Sequence, residues 1–225
     1  MIKISDMSYS IAQKSPNILT DINLDVSKGD FIGVLGKNGA GKTTLLDLMM
    51  GFRRPCKGSI SILNQDPFTS DRSVFTEISY LSQDILLKDN ISIESFLSFH
   101  SHFYSNYSKK HQNMLIDLFK LDLKSKIGGL STGEKRRAQI IAAIASMPKI
   151  LIIDEITAVL DPDARMLFFN ILKEINTTQS TTIILATNIV EDLKNRVNSV
   201  LFINNTKMEN CEASKISVLF TGGNE

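Results

Sequence analysis

Cysteine is scarce in this chain of 225 residues: there are two, Cys56 and Cys211. They lie far apart, with no C-x-x-C and no spacing for a zinc ligand set, which argues against a disulfide framework and fits free thiols in a reducing compartment. An excess of charge is also missing, since 25 Lys and Arg against 24 Asp and Glu leave a formal net charge of +1. Charge alone therefore gives no ground for binding nucleic acid or an anionic membrane. Long apolar runs are absent too. Ile150 to Ile153 is far too short to span a bilayer, so any work at a membrane needs another chain for the spanning part. The start, Met1-Ile2-Lys3-Ile4-Ser5-Asp6, alternates like a strand and shows no signal or transit pattern. What remains, 43% hydrophobic and 22% charged residues, suffices for one globular unit with room for an inserted subdomain.

The strongest motif is Gly36-Lys37-Asn38-Gly39-Ala40-Gly41-Lys42-Thr43-Thr44, which fits G-x-x-x-x-G-K-[ST]. It follows the apolar run Phe31 to Leu35, a buried strand, and precedes Leu45 to Met50, a helix stopped at Gly51. Gly36, Gly39 and Gly41 can take backbone conformations closed to other residues, so successive N–H groups turn inward at a helix N-terminus and form an anion nest. Lys42 then reaches the β- and γ-phosphates of a nucleotide, and the Thr43 hydroxyl ligates Mg²⁺. An accidental glycine turn of this pattern is expected on the order of one time in a hundred in a chain this long. The flanking strand and helix favour phosphate further.

Before the loop, Ile2 to Ile4 and Ile22 to Val26 read as strands of an antiparallel flap, separated by turn residues. After it come the alternating Ser59 to Leu63, a loop from Asn64 to Ser73, and a strand Ile78 to Gln83 whose polar end lies where parallel sheets bind ligands. Ile91 to Tyr104 and Ser108 to Leu121 have helical spacing with no strand between them. His100, His102 and His111 within them are better read as ordinary helix residues than as metal ligands, since His100 and His102 point to different sides. Ser131 or Thr132 caps an alanine-rich helix, and Lys135 to Arg137 read as its solvated first turn.

Lys149 to Asp154 is a buried strand ending in two carboxylates, Asp154 and Glu155. That is costly unless a cation meets them. With a phosphate loop in the same chain, Asp154 becomes the partner of Mg²⁺ through water, and Glu155 the group poised against an attacking water. Residues 163 to 175 read as a helix, Thr182 to Ala186 as a buried strand, Ile189 to Arg196 as a short helix, Ser199 to Ile203 as the final core strand, and Thr221 to Glu225 as a frayed tail.

The order of these pieces, Gly36 to Thr44, Gln83 after a strand, Leu130-Ser131-x-Gly133-Glu134, Asp154-Glu155 and Leu160-Asp161, resembles the nucleotide-binding subunit of ATP-binding cassette (ABC) transporters over nearly the whole chain. The resemblance implies an α/β P-loop NTPase fold: a RecA-like, mostly parallel sheet with flanking helices, an N-terminal antiparallel β subdomain and an inserted α-helical subdomain. It implies one domain over 1–225, with the core in 1–83 and 131–225 and the helical subdomain in 84–130. By resemblance, Gln83 senses the γ-phosphate and Mg²⁺, Glu155 is the catalytic base, Asp161 is the aspartate of the following loop, and Ser131 and Gly133 face the nucleotide of a second subunit. The adenine contact falls on Tyr9, or by the usual spacing on Ile11.

The family places a switch histidine where this chain has Asn188. Asn still donates a hydrogen bond but carries no charge, and losing one such electrostatic element commonly costs on the order of 10²- to 10³-fold in rate. Thr132 and Glu134 depart from the usual glycine and glutamine, and Ile156 from a proline. The implied activity is ATP hydrolysis with Mg²⁺, slowed at Asn188, in a head-to-tail dimer, homodimeric or heterodimeric, that drives an integral membrane permease. The expected location is the cytoplasmic face of the membrane, with no direct nucleic-acid contact. Ile189 to Asp192 resembles exporter subunits, hence an expectation of export. The alternatives are an ATP-binding clamp beside an active partner cassette, and a non-transport ABC ATPase.

Overall fold

In the computed structural model, residues 1–12, 15–69, 71–82 and 87–212 are described. In chain order the elements are β1 (Ile2–Tyr9), β2 (Leu19–Val26), β3 (Phe31–Leu35), α1 (Lys42–Met49), β4 (Lys57–Ile62), β5 (Ile78–Leu81), α2 (Ile93–Ser101), α3 (Lys109–Phe119), α4 (Thr132–Ala145), β6 (Ile150–Asp154), α5 (Pro162–Gln179), β7 (Thr182–Thr187), α6 (Val190–Leu193), β8 (Ser199–Asn204) and β9 (Lys207–Glu212).

Two sheets result. β2-β1-β4 is antiparallel and three-stranded. The second has six strands in the order β5-β6-β7-β3-β8-β9, parallel throughout except for β9. β3, β6 and β7 are buried along their whole length, as expected of parallel strands covered on both faces. Because successive side chains point to opposite faces, these strands feed two cores. Leu151, Ile153, Ile183 and Leu185 enter one with α4 and α5, while Ile150, Ile152, Ile184 and Ala186 enter the other with α1 and the three-stranded sheet.

Local chemistry starts the helices. Ser92, Ser108 and Ser131 each accept a backbone N–H at the N-termini of α2, α3 and α4, and Ser131 with Glu134 completes a capping box. Asp161 caps α5, with Pro162 at its first position.

The observed elements depart from expectation in several places. Ser199 to Ile203 is not the last strand: β9 follows after Asn205 and Thr206, both at positive φ (46° and 70°), and pairs antiparallel with β8. The short helix at 189–196 shrinks to α6, the strand at 78–83 ends at Leu81, and a 3₁₀ turn, Ser73–Glu77, leads into it. Lys135 to Arg137 is not a solvated turn. Arg136 is buried and donates to Ser82 O at 2.8 Å, and Arg137 pairs with Asp161. The expected tail Thr221 to Glu225 lies outside the described residues.

The register places the site. Leu35 lies beside Thr187, and Asp154 beside Ala186, so the loops leaving β3, β6 and β7 emerge together at one edge of the sheet. That edge is the carboxyl end of adjacent parallel strands, where open α/β sheets bind ligands.

Candidate functional site at the carboxyl edge of the sheet

The loop 36–41 joins β3 to α1. Gly39 (φ 80°) and Gly41 (φ 104°) occupy the left-handed region, where a side chain is strained. Gly36 is needed for a different reason than expected, since its φ is not positive. A Cβ there would come within 3.0 Å of Ile203 O and 3.1 Å of Ala40 Cβ. Gly41 caps α1 without a side chain, which leaves the first N–H groups of that helix open to an anion.

Lys42 is buried, and its ammonium is fully engaged. It donates to Gly36 O at 2.8 Å and to Lys37 O at 3.1 Å, and pairs with Glu155 Oε1 at 2.8 Å. Its three protons thus have three acceptors, of which Glu155 is the one charged group. Glu155 sits at φ 48°, an unusual conformation for a non-glycine residue, with its N–H donating to Ala186 O at 3.0 Å.

Asp154 is 1% exposed. Its Oδ2 accepts from Thr43 Oγ1 at 2.7 Å, while its Oδ1 is buried with no hydrogen-bond partner. Burial raises its pKa, opposed by the Thr43 bond and raised again by the Glu155 charge. An orphaned carboxylate oxygen beside a threonine hydroxyl fits a Mg²⁺ ion. Among the described residues no cluster of three or more His, Cys, Asp or Glu could hold a metal alone.

Asn188 follows β7 and its Nδ2 donates to Asn38 Oδ1 at 2.8 Å, across 150 positions of sequence. The structure therefore brings Gly36, Lys37, Asn38, Gly39, Ala40, Gly41, Lys42, Thr43, Thr44, Asp154, Glu155 and Asn188 to one edge. Ser131 and Gly133 stand apart at the exposed N-terminus of α4. There Ser131 Oγ and N donate to Glu134 Oε2 at 2.7 and 2.8 Å, and these bonds hold the Glu134 carboxyl below its usual pKa. Gln83 lies outside the described residues.

Tyr9 does not suit a base-stacking role. Its ring is buried in the core and its hydroxyl accepts from Arg53 Nη1 at 3.3 Å, so no aromatic face is free; Ile11, the alternative, is 74% exposed. Two features were not anticipated. Asp192 is a buried acceptor joining Thr157, Thr187 and Arg165, and a groove of about 690 Å³ runs between Phe52, Phe75, Tyr80 and Tyr104.

Comparison with known proteins gives the same reading. The model of the family described as "ABC transporter" matches residues 19–158. Methionine import ATP-binding protein MetN of Mannheimia succiniciproducens is 31% identical, over 98% of this chain and 67% of its own length. A "Probable metal transport system ATP-binding protein" of Chlamydia pneumoniae is 30% identical, over 95% of this chain and 90% of its own. Among solved structures, the ATP-binding subunit of an ABC transporter superposes with a TM-score of 0.87 at 23% identity, covering 100% of this chain and 95% of that one. A dimeric ATP-binding cassette in a post-hydrolysis state with ADP and Pi gives 0.81 at 19% identity, covering 95% and 99%. At such identity these two likenesses carry the fold; the family match and the two sequence relatives carry the rest. The chain belongs to the ABC transporter family, as one of its ATP-binding subunits.

Proposed function

We propose that this subunit energises a separate integral membrane permease by closing head to tail with a second nucleotide-binding subunit, a copy of itself or a related chain, on ATP and Mg²⁺. The observation that carries this reading is the convergence of Lys42, Thr43, Asp154 and Glu155 at one sheet edge. The backbone N–H groups of 36–44 cradle the phosphates, and Lys42 exchanges Glu155 for a phosphate oxygen. Thr43, Asp154 and Gln83 would hold Mg²⁺. That ion, when bound, neutralises charge developing on the phosphates.

Glu155, released from Lys42, orients and deprotonates the attacking water. Asn188 leaves Asn38 and donates its amide to the γ-phosphate. Ser131 and Gly133, at the open end of α4, face the nucleotide held by the second subunit, so neither half-site is complete alone. Ile11 rather than Tyr9 lies against the base.

Among the described residues no helix is long and apolar enough to cross a membrane, so the membrane contact belongs to the permease. The aromatic groove of Phe52, Phe75, Tyr80 and Tyr104 beside α2 suits an apolar segment of that partner. The location is then the cytoplasmic face of the membrane, held there by the permease. Export draws no support from the two relatives described: the one whose name gives a direction, from Mannheimia succiniciproducens, is a methionine import protein. The second reading, an ATP clamp beside an active partner cassette, is favoured by Asn188 in place of the switch histidine.

Steady-state ATP hydrolysis by the purified chain, with light scattering to follow dimerisation, separates the two. We expect turnover below about one per second, at the slow end of enzymes. Glu155→Gln abolishes it and traps an ATP-bound dimer, and Asn188→His raises it. Binding of ATP without turnover by any of the three makes the chain a clamp.

A further inference from the structure

Asp192 is wholly buried on α6, and no step above uses it. Its Oδ2 accepts from Thr157 Oγ1 at 2.6 Å and from Thr187 Oγ1 at 3.2 Å, and its Oδ1 accepts from Arg165 Nε at 2.9 Å and from Nη2 of the same guanidinium. Thr187 Oγ1 in turn accepts from Ile189 N at 3.0 Å. One carboxylate thus ties three segments together: the loop two residues beyond Glu155, the turn that carries Asn188, and the first turns of α5. The cap of α5, Asp161, pairs with Arg137 of α4, so the connection runs on to the helix that presents Ser131.

Burying a carboxylate is expensive, and a buried ion pair is seldom the most stable filling of its space. What a fully hydrogen-bonded carboxylate does supply is direction, because each donor must arrive at a fixed angle. The donors here come from the segments that flank the two groups acting on the γ-phosphate side of the site.

We propose that Asp192 is a positioning residue for ATP hydrolysis: through Thr157 and Thr187 it holds the Glu155 loop and the Asn188 turn in one fixed relation, and through Arg165, α5 and Asp161 it ties that relation to α4. The inference rests on the ATPase reading above. Asp192 touches no phosphate. Its effect falls on the chemical step and little on nucleotide affinity, which the loop 36–44 supplies.

Thr157→Val tests it, because Thr157 is buried and valine keeps its shape while removing the donor. In the purified full chain we expect kcat to fall about ten- to a hundredfold, the scale of a misplaced catalytic group, with KM for ATP within about twofold. Thr157→Ser, which keeps the hydroxyl, restores kcat. Backbone hydrogen exchange in Thr157→Val speeds up in both 156–160 and 187–189, with the rest of the chain unchanged. Wild-type turnover in Thr157→Val, failure of Thr157→Ser to restore kcat, or exchange that quickens evenly along the chain overturns the proposal. A wild-type chain without turnover, alone or with a second cassette, sinks the ATPase reading instead. The exchange result then decides this one by itself: faster exchange in 156–160 with 187–189 unmoved means that the two segments are not joined through Asp192.

Discussion

His100 has its ring stacked on Tyr104, 4.8 Å between centroids, and its Nε2 is buried without a hydrogen-bond partner. Burial alone lowers its pKa from 6.5 to about 4, and the rings around it, Phe96, Tyr104 and Tyr107, carry no charge in that range. Between those two values the unfolded chain takes up a proton that the folded chain refuses, so this contribution is whole above pH 6.5 and is lost as pH falls through the window. We expect the melting temperature to drop across it, by the equivalent of about 3 kcal/mol, and His100→Phe to flatten the drop while keeping the stacked ring. An unchanged slope in the variant removes His100 as the cause. Asp154, whose pKa is raised, contributes with the opposite sign in both proteins and cancels from the comparison. The sequence readily yields those residues whose place is written into neighbouring positions: Lys42 and Thr43 within one loop, Ser131 before its helix, Asp154 after its apolar strand. It conceals those defined by a distant partner. The amide pair of Asn38 and Asn188, the burial of Arg136 and Tyr9, and the donors gathered on Asp192 all depend on contacts that no local pattern encodes.

Among the elements, α5 sets one face into the core, with Phe168 fully buried near its centre. Phe168→Ala leaves a cavity that the surrounding helices and sheet fill only in part, and we expect a loss of about 3–5 kcal/mol in urea unfolding. A loss under about 1 kcal/mol would mean that the site collapses around the hole. The long apolar strands and the capped helices were legible because period and punctuation agree. β9 was not: Lys207, Glu209, Asn210 and Glu212 offer no apolar alternation. Its strand form comes from pairing with β8 through a tight turn, and a sheet edge facing solvent tolerates such residues. The α2 and α3 segments read longer than the helices observed because apolar spacing runs on past the last turn, into residues such as Phe103 that stay exposed.

Seen whole, the six-stranded sheet is the shared wall of two cores, and neighbouring residues of β6 and β7 belong to different sides of it. Neither core can come apart while the wall stands, so we expect one thermal transition, seen alike by far-UV circular dichroism and by a fluorescent label at Cys56. Two separated transitions would show that the three-stranded sheet and α1 melt independently. The phosphate loop lies on one side of that wall and Phe168 on the other, yet a ligand that binds only the folded chain stabilises everything that unfolds with it. At an ATP concentration a hundred times its dissociation constant this is worth about 2.7 kcal/mol, most of what Phe168→Ala removes. Survival against protease, for peptide bonds far from the nucleotide as well as near it, then follows the supply of ATP, and the subunit's lifetime becomes a gauge of the energy available to drive it.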